Sequence, residues 1–367
     1  MTDPRVKKLA NILLHYSCSL KRKQLVKLIG GVEAIPLLKE LFAEALAIGA
    51  NPYIKIVVSD LEEIFYKKAN KDQLTYVSPV IKYEIEKIDA LVGVMSPCNT
   101  KFLSGTDPKN QALSRKAQHK IMQRFSARAA KGELSWVGTL FPTNASAQDA
   151  GMSLSDYEDF VYGACMVDKK DPIAEWKKMS KYNQRLIKYL KNIKLIRLTA
   201  PDTDLTFKVA GRKWINCDGN NNFPDGEVFT APIENSTNGH IRFTFPAIYA
   251  GHEVNDVRIE MKKGKVVKAV AKDGQSFLDA MLNMDKGSRH LGEVAIGTNF
   301  GIKQFTKNIL FDEKIGGTFH MAMGNSYPES GGKNKSALHW DMICDLRKSG
   351  CMYADGQLFF KNGKFLK

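Results

Sequence analysis

At 367 residues, 44% hydrophobic and 25% charged, the chain is too apolar for a disordered protein and long enough for two domains with separate cores. Its formal net charge of +15 raises the question of a polyanion partner. The excess is diffuse, with 32 Lys and Arg against 20 Asp and Glu in residues 1–200 and 22 against 19 beyond, and its densest runs, "LKRKQLVK" and "RLIKYLKNIKLIR", interleave Leu and Ile like solvated faces of amphipathic elements, so no nucleic-acid partner is expected.

The N-terminal "MTDPRVKKLANILLHYSCSL" lacks the apolar centre and cleavage site of a signal peptide, and no stretch approaches about 20 uncharged apolar residues. Neither secretion nor membrane insertion is expected. "LIGGVEA" fits neither a dinucleotide-binding nor a P-loop spacing. From Pro36, "PLLKELFAEALAIGA" repeats apolar residues at helical spacing and stops near Gly49. "YIKIVV", "KIDALVGVMS" and "ELSWVGTLFPT" read as strands, separated by helical patterns such as "NQALSRKAQHKIMQRFSARAA". Strands alternating with helices predict an α/β N-terminal domain with a mostly parallel sheet, closed by the helix "PIAEWKKMSKYNQRLIKYLKNI". After Lys194 short alternating runs divided by Gly, Asn and Asp turns predict a β-rich α+β domain, which places the boundary at 190–200 and the two domains at 1–195 and 196–367. Six scattered cysteines without close pairs fit free thiols in a reducing compartment, hence a cytoplasmic protein.

The second half carries the chemistry. In "SALHWDMICD", an extended chain puts His339 and Asp341 on one face and Trp340 and Met342 on the other. "NFPDGEVFTAP" supplies Glu227, "RHLGEVAIGTNFG" supplies Glu293, and "LFDEKIGGTFHMAMGNSYPESGG" supplies Glu313, His320 and Tyr327. The three Glu, two His and one Asp are expected at the starts or ends of strands. Singly, each has an ordinary explanation as a turn-side carboxylate or a satisfied core histidine. Together they make a mixed imidazole and carboxylate set suited to two divalent metal ions, zinc, cobalt or manganese, and the absence of cysteine from the set points to catalysis over a closed structural zinc.

The motifs "FPDGEVFTAP", "LGEVAIGTNFGI", "FDEKIGGTFHMAMGNSYPESGGKNKSALHWDM" and "DGQLFFKNGKF" resemble those of the thermophilic metalloaminopeptidase family, the group of aminopeptidases S, T and II. "LANILLHYS" and "PLLKELFAEALAIGANPYI" extend the likeness more loosely into the first half. The resemblance implies a cytoplasmic, homodimeric exopeptidase acting on peptides with a free N-terminus, its first domain shielding the site and aiding dimerisation. It implies Glu227, Glu293, Glu313, His320, His339 and Asp341 as metal ligands, Glu293 as the bridge between two ions, and Tyr327 as a donor beside them. Asp225, Asp312 and Glu329 are the other acidic residues of these motifs, and none is singled out as the general base. Two rival readings are a two-metal hydrolase of another amide or a phosphoester, for which Lys333 and Lys335 would serve, and a basic nucleic-acid-binding protein.

Overall fold

A computed structural model describes residues 3–367 and divides the chain into two compact units, one running through Ile173 and including Gly219–Phe223, the other formed by Ala174–Asp218 and Pro224–Lys367. The first contains a wholly parallel five-stranded sheet in the order Asn51–Val57, Leu25–Gly31, Ala90–Met95, Ser135–Leu140, Asn222–Phe223. Helices connect its strands, as the alternating pattern predicts. Ile35–Ile48 opens with Pro36 in its first turn and ends at Gly49, whose φ of 82° a side chain would disfavour. Pro108–Ala130 opens on Asp107, which accepts from the Lys109 amide.

Charge inside this unit departs from a simple solvated face. Lys27, in the run "LKRKQLVK", is buried and bonded to Glu84, which also accepts from the Tyr53 hydroxyl at 2.8 Å. Arg128 is buried as well, donating to the carbonyls of Ile85 and Ile88 at 2.6 and 2.8 Å and so satisfying a helix end.

The second unit starts within the Pro172–Leu190 helix, whose Leu186 and Leu190 join its core. The change of texture after Lys194 marks the first antiparallel strand, Leu195–Ala200. An eight-stranded antiparallel sheet runs in the order Lys265–Val270, Arg258–Lys262, Asn238–Arg242, Thr203–Lys208, Leu195–Ala200, Cys351–Ala354, Gln357–Lys361, Lys364–Phe365. A second antiparallel sheet has the order His339–Asp345, Thr318–Gly324, Leu291–Gly297, Glu227–Thr230, Ile215–Cys217. One core draws on both: Leu198, Leu205, Phe207 and Ile259 from the larger sheet, and Val294, Ile296, Phe319, Met321, Trp340 and Met342 from the smaller. Phe207 stacks on Phe319 with ring centres 6.0 Å apart.

This core uses one face of the smaller sheet. Antiparallel sheets commonly leave the other face to water, yet all residues of Glu227–Thr230, Leu291–Gly297 and Thr318–Gly324 are buried. That second face holds the site. Among the described residues no helix is long and apolar enough to cross a membrane.

Candidate metal centre

Strand periodicity delivers the donors. Phe319, Met321 and Met323 enter the core, which turns His320 to the opposite face together with Ala322 and Gly324. His339 and Asp341 pair with Gly324 and Ala322, while Trp340 and Met342 enter the core. The alternation read in "SALHWDMICD" is therefore the observed one.

Glu293 reaches the same face through an irregularity. Leu291 faces the core, and two positions on Glu293 would too, but the ladder to Thr318–Gly324 slips by one residue between them. The extra residue is Gly292, where a Cβ would lie 1.9 Å from the Asn325 carbonyl oxygen. A bulge that only glycine can make thus re-aims the carboxylate. Glu227 joins across the ladder pair Gly297↔Glu227. It follows Gly226, whose φ of 121° and close approach to Asn299 again exclude a side chain. Opposite and between these donors stand Ala295, Gly297, Ala322 and Gly324, leaving room above the sheet.

Side-chain atoms of Glu227, Glu293 and His320 converge within 4.8 Å of one another, as do those of Glu293, His339 and Asp341, and of Glu313, His320 and Asp341. All six expected ligands are brought into one cluster. Glu293, His320 and Asp341 lie two residues inside their strands instead of at the ends. Glu313 comes from the end of the short Ile309–Asp312 helix. His320 Nε2 is 3.3 Å from Glu227 Oε2 and 3.6 Å from Glu293 Oε1; His339 Nε2 is 3.7 Å from Glu293 Oε2 and 3.6 Å from Asp341 Oδ2. Glu293 therefore offers one oxygen to each histidine.

These separations bear on whether a metal fits. Two donors held about 2.0–2.1 Å from one ion in a tetrahedral array lie about 3.3–3.4 Å apart, close to what the cluster presents. Among the described residues Glu227 Oε2 is buried with no hydrogen-bond partner, an expensive state for a carboxylate unless an ion completes it. His339 Nδ1 is 2.9 Å from the Asn325 carbonyl, which fixes the ring and leaves Nε2 for coordination. The residues fit a divalent ion.

Electrostatics agree. Burial pushes Glu227, Glu293 and Glu313 above the usual carboxylate range, and the charge of Asp341 raises all three further. His320 is driven by Glu293, Glu227 and Asp341, against burial, up to about 9. His339 is likewise raised, against burial, by Asp341 and Glu293. Tyr327, 40% exposed, stands with its ring 5.1 Å from that of His339 and 5.5 Å from that of Phe229. Loss of water and the surrounding carboxylates push its phenol upward, so it stays a protonated donor.

Two residues of the cluster escaped the reading of the motifs. Cys217, paired with Glu227 across the edge ladder, lies with Asp225 beside it, and burial holds its thiol well above the usual range. Lys314 is fully buried and bonded to Glu313. Of the unplaced acids, Asp312 accepts from the Thr306 amide and hydroxyl at 2.7 and 3.0 Å, and Glu329 lies on the Pro328–Ser330 turn.

The segment entering His339 is pinned by Asp285, which accepts from the amides of Gly287, Ser288 and Ala337 and from the hydroxyls of Ser288 and Ser336, at 2.7–3.0 Å. Burial opposes its charge, but these donors hold it below the ordinary 3.8. A carboxyl lowered on folding stabilises above its unfolded pKa and loses that contribution as pH falls through the folded value. Asp285→Asn should cost about 1–2 kcal/mol near pH 7. The gap from wild type should close below about pH 4 in melting curves followed against pH.

The family model described as thermophilic metalloprotease (M29) matches residues 2–365. The chain belongs to that family. As a member of a metalloprotease family it is a peptide hydrolase, as the motifs lead one to expect. It is 26% identical to Aminopeptidase 2 of Geobacillus stearothermophilus, the match covering 93% of this chain and 92% of that protein. It is 27% identical to Aminopeptidase PepS of Streptococcus thermophilus over 98% of each. The solved structure "Wild-type AmpT from Thermus thermophilus" shares the fold, with a TM-score of 0.85 over 99% of each chain at 22% identity.

Proposed function

We propose that this metalloprotease is an aminopeptidase that releases the N-terminal residue of peptides with two divalent ions held on the face of the smaller sheet that is turned away from its core. The observation that carries the reading is Glu293, whose two oxygens face different histidines at 3.6 and 3.7 Å. A carboxylate so divided suits a bridge between one ion at Glu227 and His320 and another at His339 and Asp341. Charge supports the count. Asp225, Glu227, Glu293, Glu313 and Asp341 bring five negative charges near one permanent cation, Lys314, and two divalent ions neutralise the remainder.

Bound there, such ions supply a water of lowered pKa and a Lewis acid for the scissile carbonyl. The chain's own residues do the rest. Tyr327, protonated and half-exposed, donates toward the oxygen that becomes negative as the carbonyl is attacked. A carboxylate oxygen of the cluster that is left uncoordinated accepts from a free α-ammonium, which favours cleavage at the N-terminus over the chain interior. Phe229 and Tyr327 offer an aromatic wall to the departing residue. The names of the relatives in Geobacillus and Streptococcus support the same activity.

The test is release of p-nitroaniline from leucyl-p-nitroanilide before and after dialysis against a chelator. Activity should vanish and return with zinc, cobalt or manganese, and N-acetylation of the substrate should block it. Chelator-resistant turnover, or hydrolysis of p-nitrophenyl phosphate in place of the leucyl substrate, would overturn the reading. The accompanying proposal of a homodimer predicts a mass in light scattering twice the 41.0 kDa of the chain.

A further inference from the structure

One cation of the cluster has no part in the reaction as proposed. Lys314 follows the Ile309–Asp312 helix in "DEKIGG" and is 0% exposed. Its backbone is fixed on both sides, the amide donating to the Phe311 carbonyl at 3.0 Å and the carbonyl accepting from the Asn299 amide at 3.1 Å. Its Nζ bonds Glu313 Oε1 and lies 3.8 Å from Glu227 Oε1. Glu227 thus turns one oxygen to the lysine and the other, Oε2, to His320, and Oε2 has no hydrogen-bond partner among the described residues.

Lysines are almost never this deeply buried unless paired, because the ammonium loses its water. A methionine would fill nearly the same volume without that cost. The position therefore uses the charge and its direction. Both contacts are to Oε1 atoms, and for Glu227 that is the oxygen turned away from His320.

We propose that Lys314 is the positioning residue of the metal centre, holding Glu313 and Glu227 by one oxygen each so that each offers a single oxygen to the ions. The proposal rests on the metal-centre reading above. Two consequences follow from removing the ammonium. Both oxygens of each carboxylate become available, so the ions gain ligand atoms. The metal-free cluster also loses its resident counter-charge, a loss that bound ions make good.

Cobalt reports both. Its visible bands are intense at low coordination number and weak at high, so the spectrum reads the number of ligand atoms. Chelator-stripped Lys314→Met protein reloaded with cobalt should bind as many ions as wild type, with visible absorption lowered several-fold. Its melting temperature should fall more in the metal-free state than in the cobalt-loaded state, since ligand binding to the folded form compensates. Lys314→Gln, which keeps a donor but no charge, serves the same comparison if the methionine variant does not fold. If the lysine only fills space, the methionine variant would shift both melting temperatures equally, in either direction, and leave the spectrum unchanged, and that result at full cobalt occupancy overturns the proposal. Wild-type protein that takes up no cobalt would instead overturn the metal-centre reading on which it rests.

Discussion

Glu293→Gln should reduce turnover of leucyl-p-nitroanilide by about 10²–10⁴-fold or more, the scale on which loss of a group acting in the chemical step is felt. The substitution preserves volume and removes one charge and one acceptor from a side chain 4% exposed. Its two oxygens face His320 and His339, so the amide cannot serve both directions as the carboxylate does. Elemental analysis should find less bound metal than in wild type. Stability should respond in the opposite sense. Burial pushes this carboxyl up and neighbouring carboxylates push it further, so a neutral amide should leave the metal-free protein melting no lower than wild type. Full activity with full metal content in the variant would remove Glu293 from the bridging role.

Trp340→Ala should destabilise the protein by about 3–5 kcal/mol, the range for deleting a large buried aromatic. Trp340 is 1% exposed, meets Phe277 edge-on at 5.8 Å and lies 5.7 Å from Tyr249. It is also the residue between His339 and Asp341, on the opposite face of their strand. Collapse of the cavity would therefore disturb both donors, and metal affinity should fall with stability. Trp340→Phe provides the contrast. Among the described residues the buried indole N–H has no hydrogen-bond partner, so removing it relieves a desolvation cost and offsets part of the lost volume. A loss of about 1 kcal/mol is expected for it. Denaturant midpoints of the two variants check the difference, and equal losses would show that Trp340 does not act through packing.

What the motifs revealed follows the range of the forces involved. The alternation in "SALHWDMICD" is local: two residues apart in a strand means the same face, so the placement of His339 and Asp341 could be read without the fold. The helix ending at Gly49 and the parallel sheet were legible for the same reason, since each rests on periodicity and turn chemistry. Convergence of Glu227, Glu293, Glu313 and His320 depends on strand order across the 94 residues from Glu227 to His320 and came through the family resemblance. Glu293 needed more than alternation, because the bulge at Gly292 turns it away from the face that simple counting from Leu291 assigns. Lys314 and Lys27 were hidden altogether. A lysine in "DEKIGG" or "LKRKQLVK" has the local signature of a solvated side chain, and only the partners gathered by the fold, Glu313 and Glu84, make its burial affordable. The two-residue strand Asn222–Phe223 is similarly invisible, being too short to carry any pattern.

The measurement that tests the account most directly is anomalous diffraction at the cobalt or zinc absorption edge from crystals of the metal-loaded protein. Two peaks per chain are expected, one among Glu227, Glu293 and His320 and one among Glu293, His339 and Asp341, with Glu293 touching both. A single peak with Glu293 on one side only would contradict the bridge, and peaks confined to other parts of the chain would contradict the metal centre itself.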